Sequence, residues 1–342
     1  MAETPPSRME VTADVAGIAS MPGTLAGRAE ALLEPLHRVI PFEAAWISLV
    51  HGERRRFVSL VSHGYNEPTW AYFAGRTVFD EAALLGLGVP RPPMRMRDMP
   101  VPWPELRGWA EHLWPAGFRE GLGAGLFAPD GRQVGLLTLN TDDPAHPTAD
   151  ARDLVGTLTS MIAAAVDPMR SISTVAGMVS DATAGVVLNR AGDPLPLPGL
   201  RSHVLLLAGS DLLPVAFSQL NGRTVASFLC PYRAGQSADR QVRITVLACP
   251  PEVPDYLAAI VLVSPVGDLH GLTARELEVL GLVLEGWPNL RIAAVLFLAE
   301  RTVAAHLEHI LTKLAVPTRS AAAVLALRQG LYIPRQLTLG RE

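Results

Sequence analysis

The spacing of apolar residues along the start of the chain predicts a helix followed by a strand pair. Apolar residues recur on one helix face from Leu25 to Val39, and Pro41 ends that pattern. Two strand-like segments follow over residues 44–50 and 56–62, with a short glycine turn at His51–Glu53 between them. Strands joined by such a turn are predicted to form a hairpin.

A loop, a second hairpin and a closing helix are predicted next. Residues 90–115 are rich in proline, methionine and tryptophan, which favours a long loop around one short helix. The turn Pro129-Asp130-Gly131 joins two apolar segments, since proline presets one backbone angle and glycine supplies the left-handed one. The predicted elements are a helix over 104–114, strands over 123–128 and 134–140, and a helix over 149–165.

The stretch over residues 170–265 carries short apolar runs that are typical of strands. Little helical pattern follows Asp181, so this stretch predicts an antiparallel sheet. The predicted strands cover residues 185–189, 204–207, 224–230, 242–249 and 256–263. An alternative interpretation is that this stretch belongs to the same unit as the residues before it.

Helical spacing returns near residue 268. Thr273 and Glu276 fit a capping box, in which each side chain bonds the backbone amide of the other residue. Leucines then recur at three and four residues along one face, and Gly286 ends the helix. The next predicted helices cover about 289–297, 301–314 and 320–329, and a short turn separates the first two. Two short helices joined by a tight turn predict a helix-turn-helix.

Composition agrees with several folded domains. A length of 342 residues exceeds one ordinary core, and 49% hydrophobic with 18% charged residues is the balance of a globular protein. The net charge of -4 argues against a protein coated in nucleic acid, although it leaves room for one DNA-binding module. The predicted divisions are a flexible arm over 1–22, domains over 23–167, 168–265 and 266–334, and a tail over 335–342.

The chain is predicted to work in the cytoplasm. Its start shows no basic segment followed by an apolar run, which predicts no signal peptide. Its longest apolar stretch, Tyr256–Val263, is far shorter than the ~20 residues of a membrane span. Two cysteines, Cys230 and Cys249, form no disulfide framework and suit a reducing compartment. They lie in predicted strands, either as a redox pair or as small buried apolar side chains.

Residues 268–334 resemble the LuxR-type helix-turn-helix signature, in order and without gaps. The resemblance implies a bacterial regulator in which residues 301–313 enter the major groove of DNA. It implies that Asn289, Thr302 and Lys313 hold phosphates, and that the last helix pairs two protomers into a homodimer. Arg319 is expected to fix the start of that last helix and to face the DNA backbone. The matching residues are Leu272–Leu280, Gly286–Asn289, Ile292, Ala293, Arg301–Val303, His306, Leu307, Ile310, Leu311, Lys313, Leu314 and Arg319.

The sequence departs from this family on the surface that faces the groove. Family positions that include basic residues are Ala304, Ala305 and Glu308 here, and the customary capping serine is Ala299. We expect the alanines to contact thymine methyl groups and Glu308 to accept from a cytosine amino group. With six basic and five acidic residues between 271 and 334, a single module should bind DNA weakly. The candidate DNA-binding residues are Asn289, Arg301, Thr302, Ala304, Ala305, His306, Glu308, Lys313 and Arg319.

Residues 23–167 resemble a GAF sensor domain in their order of helix, strand pair, long loop, strand pair and helix, and residues 168–265 look PAS-like. The predicted fold is therefore multidomain α+β, with a GAF/PAS-like antiparallel-sheet sensor region followed by an all-α four-helix LuxR-type helix-turn-helix domain. Five of six tryptophans lie in the first region, where they are candidates for an apolar effector pocket or for ordinary core packing. They are Trp46, Trp70, Trp103, Trp109 and Trp114.

The predicted function is a sequence-specific DNA-binding transcriptional regulator that responds to a signal through its N-terminal region. Its expected partners are double-stranded DNA, a second copy of the chain and a small-molecule effector, with no membrane, metal or cofactor. The sequence shows no pattern of catalytic residues, so no enzyme activity is expected. The alternative is a protein-interaction or anti-activator protein that keeps the helix-turn-helix fold without strong DNA binding.

Overall fold

The computed structural model describes residues 7–51, 54–232 and 240–338. By the density of contacts, the chain divides into two units, residues 1–170 and 171–342. The further predicted division of the second unit at residue 265 stays a prediction. The predicted turn at His51–Glu53 falls in part on residues 52–53, which lie outside the described residues.

The first unit contains one antiparallel sheet of five strands in the order β2-β1-β5-β4-β3. The predicted helix, the two strand pairs and the closing helix are all confirmed within three residues of their predicted ends. The elements are α1 (Arg8–Ser20), α2 (Leu25–Val39), β1 (Ala44–His51), β2 (Arg56–His63), α3 (Glu67–Ala74), α4 (Thr77–Leu84), β3 (Met94–Arg95), β4 (Glu120–Phe127), β5 (Gln133–Thr141) and α5 (Ala149–Val166).

Both faces of this sheet are covered, which makes three layers. Helices α2 and α5 bury one face and α1 packs on both of them, so that Ile47 of β1 shares one apolar core with Leu36 and Leu158. The short helices α3 and α4 and the loop after β3 bury the other face, where Trp46 lies among apolar side chains that include Phe73. Successive residues of a strand point to opposite faces, so β1 is almost continuously apolar and buried.

Two sequence expectations in this unit are wrong. Residues 8–20 form helix α1 rather than part of a loose arm: Ser7 and Glu10 make a capping box, and Val11 and Val15 are fully buried. Two apolar contacts one turn apart are too few to produce a visible periodicity. The single helix predicted over 104–114 is instead a 3-10 turn at Trp103–Glu105 and a turn of π-helix at Gly108–Leu113.

The second unit begins with another antiparallel sheet of five strands, in the order β7-β6-β10-β9-β8. Helix α6 (Pro168–Ala176) precedes the sheet in the sequence, and the boundary between the units falls within it, after residue 170. Four of the five predicted strands are confirmed. The elements are β6 (Ala184–Asn189), β7 (Pro194–Pro196), α7 (Leu212–Leu220), β8 (Val225–Tyr232), β9 (Arg240–Ala248) and β10 (Leu257–Ser264).

The fifth predicted strand, over 204–207, is wrong. Val204–Leu206 form a 3-10 turn, and helix α7 follows it where little helix was expected. A short apolar run has no periodicity that separates a strand from a buried helix. Here the apolar side chains of α7 pack over β8 and β9, so tertiary packing decides the conformation.

The helices that follow complete the second unit and confirm the predicted helix-turn-helix. Their apolar side chains and those of the second sheet form one continuous core. The predicted mixed α+β fold, with two antiparallel sheets before a helical region, is therefore confirmed. The helices are α8 (Ala274–Leu284), α9 (Asn289–Leu296), α10 (Glu300–Lys313), α11 (Arg319–Gln329) and α12 (Arg335–Thr338).

A short segment after α11 joins these helices to the sheet. The carbonyl of Tyr332 accepts from the amide of Leu229 on β8 at 2.8 Å, and the amide of Ile333 donates to the carbonyl of Leu277 on α8 at 3.2 Å. The Tyr332 hydroxyl also donates to Gln219 on α7 at 3.1 Å. Because β8 is an edge strand, this segment covers part of an exposed edge.

Replacing Gly281 by alanine should destabilise the second unit. A Cβ at Gly281 would lie 2.0 Å from the carbonyl oxygen of Ile333, so either α8 or the segment after α11 must move. Overpacking should lower the free energy of unfolding by about 1–3 kcal/mol. The gain from the higher helix propensity of alanine is smaller. Urea unfolding measures the difference. Gly17→Ala in α1 is the control, since nothing lies within 4 Å of its Cβ and stability should rise. Equal effects of the two variants would contradict this packing.

Within the described ranges, no helix is both long and apolar enough to cross a lipid bilayer.

Candidate nucleic-acid interface

The start of α8 is tied to the end of α10 through one buried carboxylate. Glu276 is 2% exposed and accepts from the Thr273 amide at 2.7 Å, while the Thr273 hydroxyl caps the Glu276 amide, which confirms the predicted capping box. The Lys313 ammonium donates to both oxygens of Glu276, at 2.7 and 3.0 Å. Burial raises the pKa of Glu276, but hydrogen bonds from Lys313 and Thr273 outweigh it, so the net pKa is lowered.

A second polar cluster fixes the start of α9. The Arg319 guanidinium, at the first residue of α11, donates to Asn289 Oδ1 at 2.8 Å and to the carbonyl of Trp287. Arg319 was predicted to fix the start of the last helix. In the structure it also links that helix to α9. Burial lowers the pKa of Arg319, as expected for a guanidinium enclosed between helices.

Sequence reasoning missed the role of Arg291. Its guanidinium lies 3.8 Å from the centroid of the Trp287 ring, and that of Arg335 lies 5.2 Å from the same ring. The four-residue spacing between Trp287 and Arg291 is a signal that was available in the sequence. This cation–π contact keeps a positive charge beside Asn289 on the exposed surface of α9.

Helix α10 turns one face to the core and the other to solvent. Val303 and Ile310 are fully buried among the apolar residues of the unit. Arg301, Ala305 and Glu308 are exposed. The structure therefore places three of the candidate DNA-binding residues on the open surface of one helix. Three other predicted contact residues on this helix, Thr302, Ala304 and His306, are partly buried.

Two residues predicted to hold phosphates have protein partners. Lys313 is paired with Glu276, although its side chain remains 32% exposed, and Asn289 is bonded to Arg319. Arg301 makes no ion pair within the part of the chain that the structure describes. The exposed positive charge nearest the start of α10 therefore belongs to Arg301, and the phosphate contacts of Asn289 and Lys313 stay predictions.

The turn between α9 and α10 is held from α8. Arg275 donates to the carbonyl of Leu296, the last residue of α9, and pairs with Glu278 at 2.8 Å. Phe297 then takes the left-handed conformation, with φ of 53°, and its side chain is 94% exposed. Ala299 follows at the N-cap of α10, where no side chain accepts a hydrogen bond from the first helical amides.

Replacing Ala299 by serine should stabilise the helix-turn-helix. Ala299 already has the extended backbone of an N-cap, with φ of -76° and ψ of 146°, so a hydroxyl there can accept from α10 amides. The gain should be about 1 kcal/mol. Differential scanning calorimetry of the full chain measures it. Ala294→Ser, exposed inside α9, is the matched control and should cost about 0.5 kcal/mol. Equal changes for both variants would contradict the capping argument.

The five tryptophans of the first unit do not line one shared cavity in the described part of the chain. Trp109 lines a cavity between the sheet and helices α3 and α4. Trp46 and Trp70 line another, beside β2. Trp103 and Trp114 stack on each other with ring centroids 4.2 Å apart. The tryptophan rings are therefore found both in apolar packing and in cavity walls.

The polar groups around the cavity of Trp109 are paired with each other. The Tyr72 hydroxyl donates to Glu81 at 2.6 Å, and Glu81 also accepts from the Gly108 amide at 3.2 Å. Tyr65 donates to Asn140 Oδ1 at 2.6 Å. Burial and, for Tyr72, the Glu81 carboxylate raise the pKa of both tyrosines, which therefore stay neutral hydrogen-bond donors at neutral pH.

The interpretation of the two cysteines as a redox pair is wrong. Cys230 lies opposite Val242 near one end of the β8–β9 pair, whereas Cys249 follows Ala248 at the other end. Seven residues of strand separate them by roughly 20 Å, beyond the reach of a disulfide. Cys230 is a buried apolar side chain, and burial raises the pKa of Cys249 to about 12. Among the described residues, no cluster of three metal-ligating side chains occurs.

Comparison with known proteins confirms the helix-turn-helix resemblance. Residues 270–326 match the family described as bacterial regulatory proteins, luxR family. The transcriptional regulatory protein DegU of Brevibacillus brevis is 42% identical over 62 residues, which are 18% of this chain and 26% of that protein. The nitrate/nitrite response regulator protein NarP of Escherichia coli is 47% identical over 58 residues, 17% of this chain and 27% of that protein. The chain thus matches about a quarter of the length of these relatives, which are transcriptional regulators.

Solved structures with lower similarity include receptors and sensor domains. SdiA of Escherichia coli is 14% identical, covers 95% of this chain and 98% of its own, and has a TM-score of 0.34. VqmA of Vibrio cholerae, among the LuxR-type receptors, is 16% identical over 49% of this chain and 93% of its own, with a TM-score of 0.29. A GAF domain from Coxiella burnetii is 14% identical over 49% of this chain and 96% of its own, with a TM-score of 0.36.

Proposed function

We propose that this chain is a transcriptional regulator that binds double-stranded DNA through α10 of its LuxR-type helix-turn-helix and responds to a small-molecule signal. The observation that carries the proposal is the exposed face of α10. Its inner face is anchored by Val303 and Ile310, while Arg301 projects from its first turn without an ion pair among the described residues. A helix held in this way can enter a major groove without unfolding its own core.

Ion pairing within the domain supports this assignment, although the net charge is small. Three of its five acidic residues, Glu276, Glu278 and Glu285, lie within 4 Å of a lysine or arginine. They therefore present little uncompensated negative charge to DNA. Arg301 and Arg291 remain exposed, against Glu300 and Glu308 on the same surface. A single domain should bind weakly, so two domains in a homodimer are needed for firm binding.

The roles on α10 follow from chemistry at each position. Arg301 contacts phosphate or a guanine edge, and Ala304 and Ala305 contact thymine methyl groups. Glu308, exposed on the next turn, accepts from a cytosine amino group. His306 and Thr302, partly buried, support the backbone contacts at the edge of the groove. Asn289, Lys313 and Arg319 position the helix, since each already bonds a neighbouring element.

The first unit and the second sheet supply the response to a signal. A homodimer presents two copies of α10 to half-sites about 34 Å apart, and an effector changes how often that spacing is reached. Such an effector acts only if it binds the two states with different affinity. We propose that this regulation takes place in the cytoplasm and involves no catalysis by the chain.

Binding to DNA is tested by fluorescence anisotropy of the full chain with a labelled pool of genomic fragments. Binding should appear in dilute buffer and should weaken steeply with added salt, because phosphate contacts release counterions. A subset of fragments should remain bound at higher salt if the exposed face of α10 reads sequence. Complete absence of binding in dilute buffer, from a chain that calorimetry shows to be folded, would overturn the proposal.

An interaction or anti-activator protein is the alternative, which the similarity to transcriptional regulators does not favour but which three features of the domain leave open to test. Glu276 neutralises Lys313, Ala299 leaves α10 uncapped, and Glu308 faces solvent where the family includes basic residues. The same titration separates the two candidates, since this second one predicts a folded domain with no salt-dependent DNA binding.

A further inference from the structure

The helix-turn-helix keeps few of its positive charges free for DNA. Between residues 271 and 334 the chain has six lysines and arginines, and three of them are bonded within the protein. Contacts to phosphate and sugar make up half or more of the hydrogen bonds between a protein and DNA, so few charged candidates remain for them. The bonded residues are Arg275, Lys313 and Arg319, and those without an ion pair among the described residues are Arg291, Arg301 and Arg328.

Arg291 is held on the face of Trp287. The carbon of its guanidinium lies 3.8 Å from the centroid of that ring. At this separation the planar guanidinium lies over the ring, and its N–H groups, which point outward in its own plane, stay free to donate. The ring is fixed as well, since Trp287 is 8% exposed and its carbonyl accepts from Arg319. Arg291 therefore loses little conformational entropy when it binds an anion.

The acidic residue closest in sequence to this ring pairs with a different arginine. Glu285 lies 3.7 Å from Arg335, whose guanidinium is 5.2 Å from the centroid of the Trp287 ring. Arg291 is exposed and makes no ion pair with any residue that the structure describes. Its positive charge is therefore available to a partner outside the chain.

Arg291 and Arg301 lie toward opposite ends of α10. Arg301 is in the first turn of that helix, whereas the bond from Arg319 to Asn289 holds the start of α9 beside the residues that follow the end of α10. A helix of 14 residues is about 20 Å long, which exceeds the ~12 Å width of the major groove. Cations at its two ends can therefore reach the sugar–phosphate backbones on both sides of the groove.

We propose that Arg291, held on Trp287, binds a phosphate of the DNA backbone at the end of α10 opposite to Arg301. This inference rests on the proposed DNA binding and adds a contact residue on α9 that is absent from the candidates found in the sequence. In a helix-turn-helix the first helix crosses the backbone while the second enters the groove, which agrees with a phosphate contact from α9. A guanidinium binds phosphate through two parallel hydrogen bonds, and both require the free edge that stacking on Trp287 leaves.

The test compares Arg291→Gln with the unmodified full chain in anisotropy titrations of a labelled pool of genomic fragments at several salt concentrations. Arg291→Gln should bind about tenfold more weakly in dilute buffer, because charge-assisted hydrogen bonds to phosphate are lost. The slope of log affinity against log salt should fall by about 1 for each domain bound. All fragments should weaken alike, since a phosphate carries no sequence information.

Two further variants separate this contact from a general effect of charge. Arg291→Lys keeps the charge but not the planar donor edge, so it should restore the salt slope and only part of the affinity. Arg328→Gln is the matched control, because it removes the same charge from an exposed position near the end of α11, and it should weaken binding by less than about twofold. Calorimetry and light scattering check that each variant keeps the fold and the oligomeric state of the unmodified chain.

Three outcomes overturn the inference while the proposed DNA binding stands. Arg291→Gln binds like the unmodified chain, or it loses affinity with an unchanged salt slope, which would indicate a structural role, or Arg328→Gln loses as much affinity as Arg291→Gln. Absence of all duplex binding by the folded, unmodified chain in dilute buffer is a different result. It contradicts the proposed DNA binding itself, and this inference with it.

Discussion

Arg301→Ala is expected to weaken DNA binding by the full chain more than any other single change on the surface of α10. Arg301 is exposed at the start of that helix and makes no ion pair within the described residues, so its charge is free to contact phosphate or a guanine edge. One lost contact costs about 1–3 kcal/mol, and a homodimer loses two. The affinity should therefore fall by roughly 30-fold or more, since 1.4 kcal/mol is a factor of ten.

The measurement is an anisotropy titration at several salt concentrations. If Arg301 contacts phosphate, the slope of log affinity against log salt should fall by about 1 for each contact removed. Arg201→Ala is the control, because it removes the same charge from an exposed position outside the helix-turn-helix. Equal losses for Arg301→Ala and Arg201→Ala would show that binding follows total charge and not the surface of α10.

Glu276→Gln should have the largest effect on stability. Glu276 is buried, caps α8 through Thr273 and accepts both hydrogen bonds from Lys313, so the change removes the ion pair while it keeps the shape of the side chain. Hydrogen bonds to charged groups contribute about 1.5–3 kcal/mol, and we expect a loss in that range at pH 7. Urea unfolding measures it, with Glu308→Gln, exposed on α10, as a control of near-zero effect.

The same carboxylate makes stability depend on pH. Its pKa in the folded protein is lowered from the ordinary value of 4.5, so the folded state binds fewer protons than the unfolded state near that value. Its contribution is therefore fully present above about pH 4.5 and is lost as the pH falls through the lowered pKa. Unfolding of the unmodified chain should grow easier from pH 6 to pH 3 by more than that of Glu276→Gln. Parallel pH profiles would contradict this assignment.

Local patterns in the sequence were sufficient where a signal repeats within a few residues. Thr273 and Glu276 marked the start of α8, glycine marked its end, and apolar spacing placed α9, α10 and α11 within one or two residues of their observed bounds. The strand pairs of the first unit were equally accessible, because short apolar runs and the Pro129–Gly131 turn are local features of the sequence. Helix α1 escaped notice because Val11 and Val15 alone mark its buried face.

Contacts between distant residues were beyond sequence reasoning. The pairing of Lys313 with Glu276 joins positions 37 apart, and that of Arg319 with Asn289 joins positions 30 apart. These contacts turn two predicted phosphate ligands into groups that also hold the helices together. The five tryptophans looked alike in the sequence, yet the fold divides them between two cavities and a stacked pair.

By itself, the sequence determined the helix-turn-helix and the alternation of helices and strands before it, because backbone propensity, capping and apolar period are properties of neighbouring residues. Only the tertiary structure decided that the segment after α11 lies against the edge of β8 and that Lys313 bonds Glu276 while Arg319 bonds Asn289. Burial and pairing depend on which distant side chains reach the same place, and no local pattern records that.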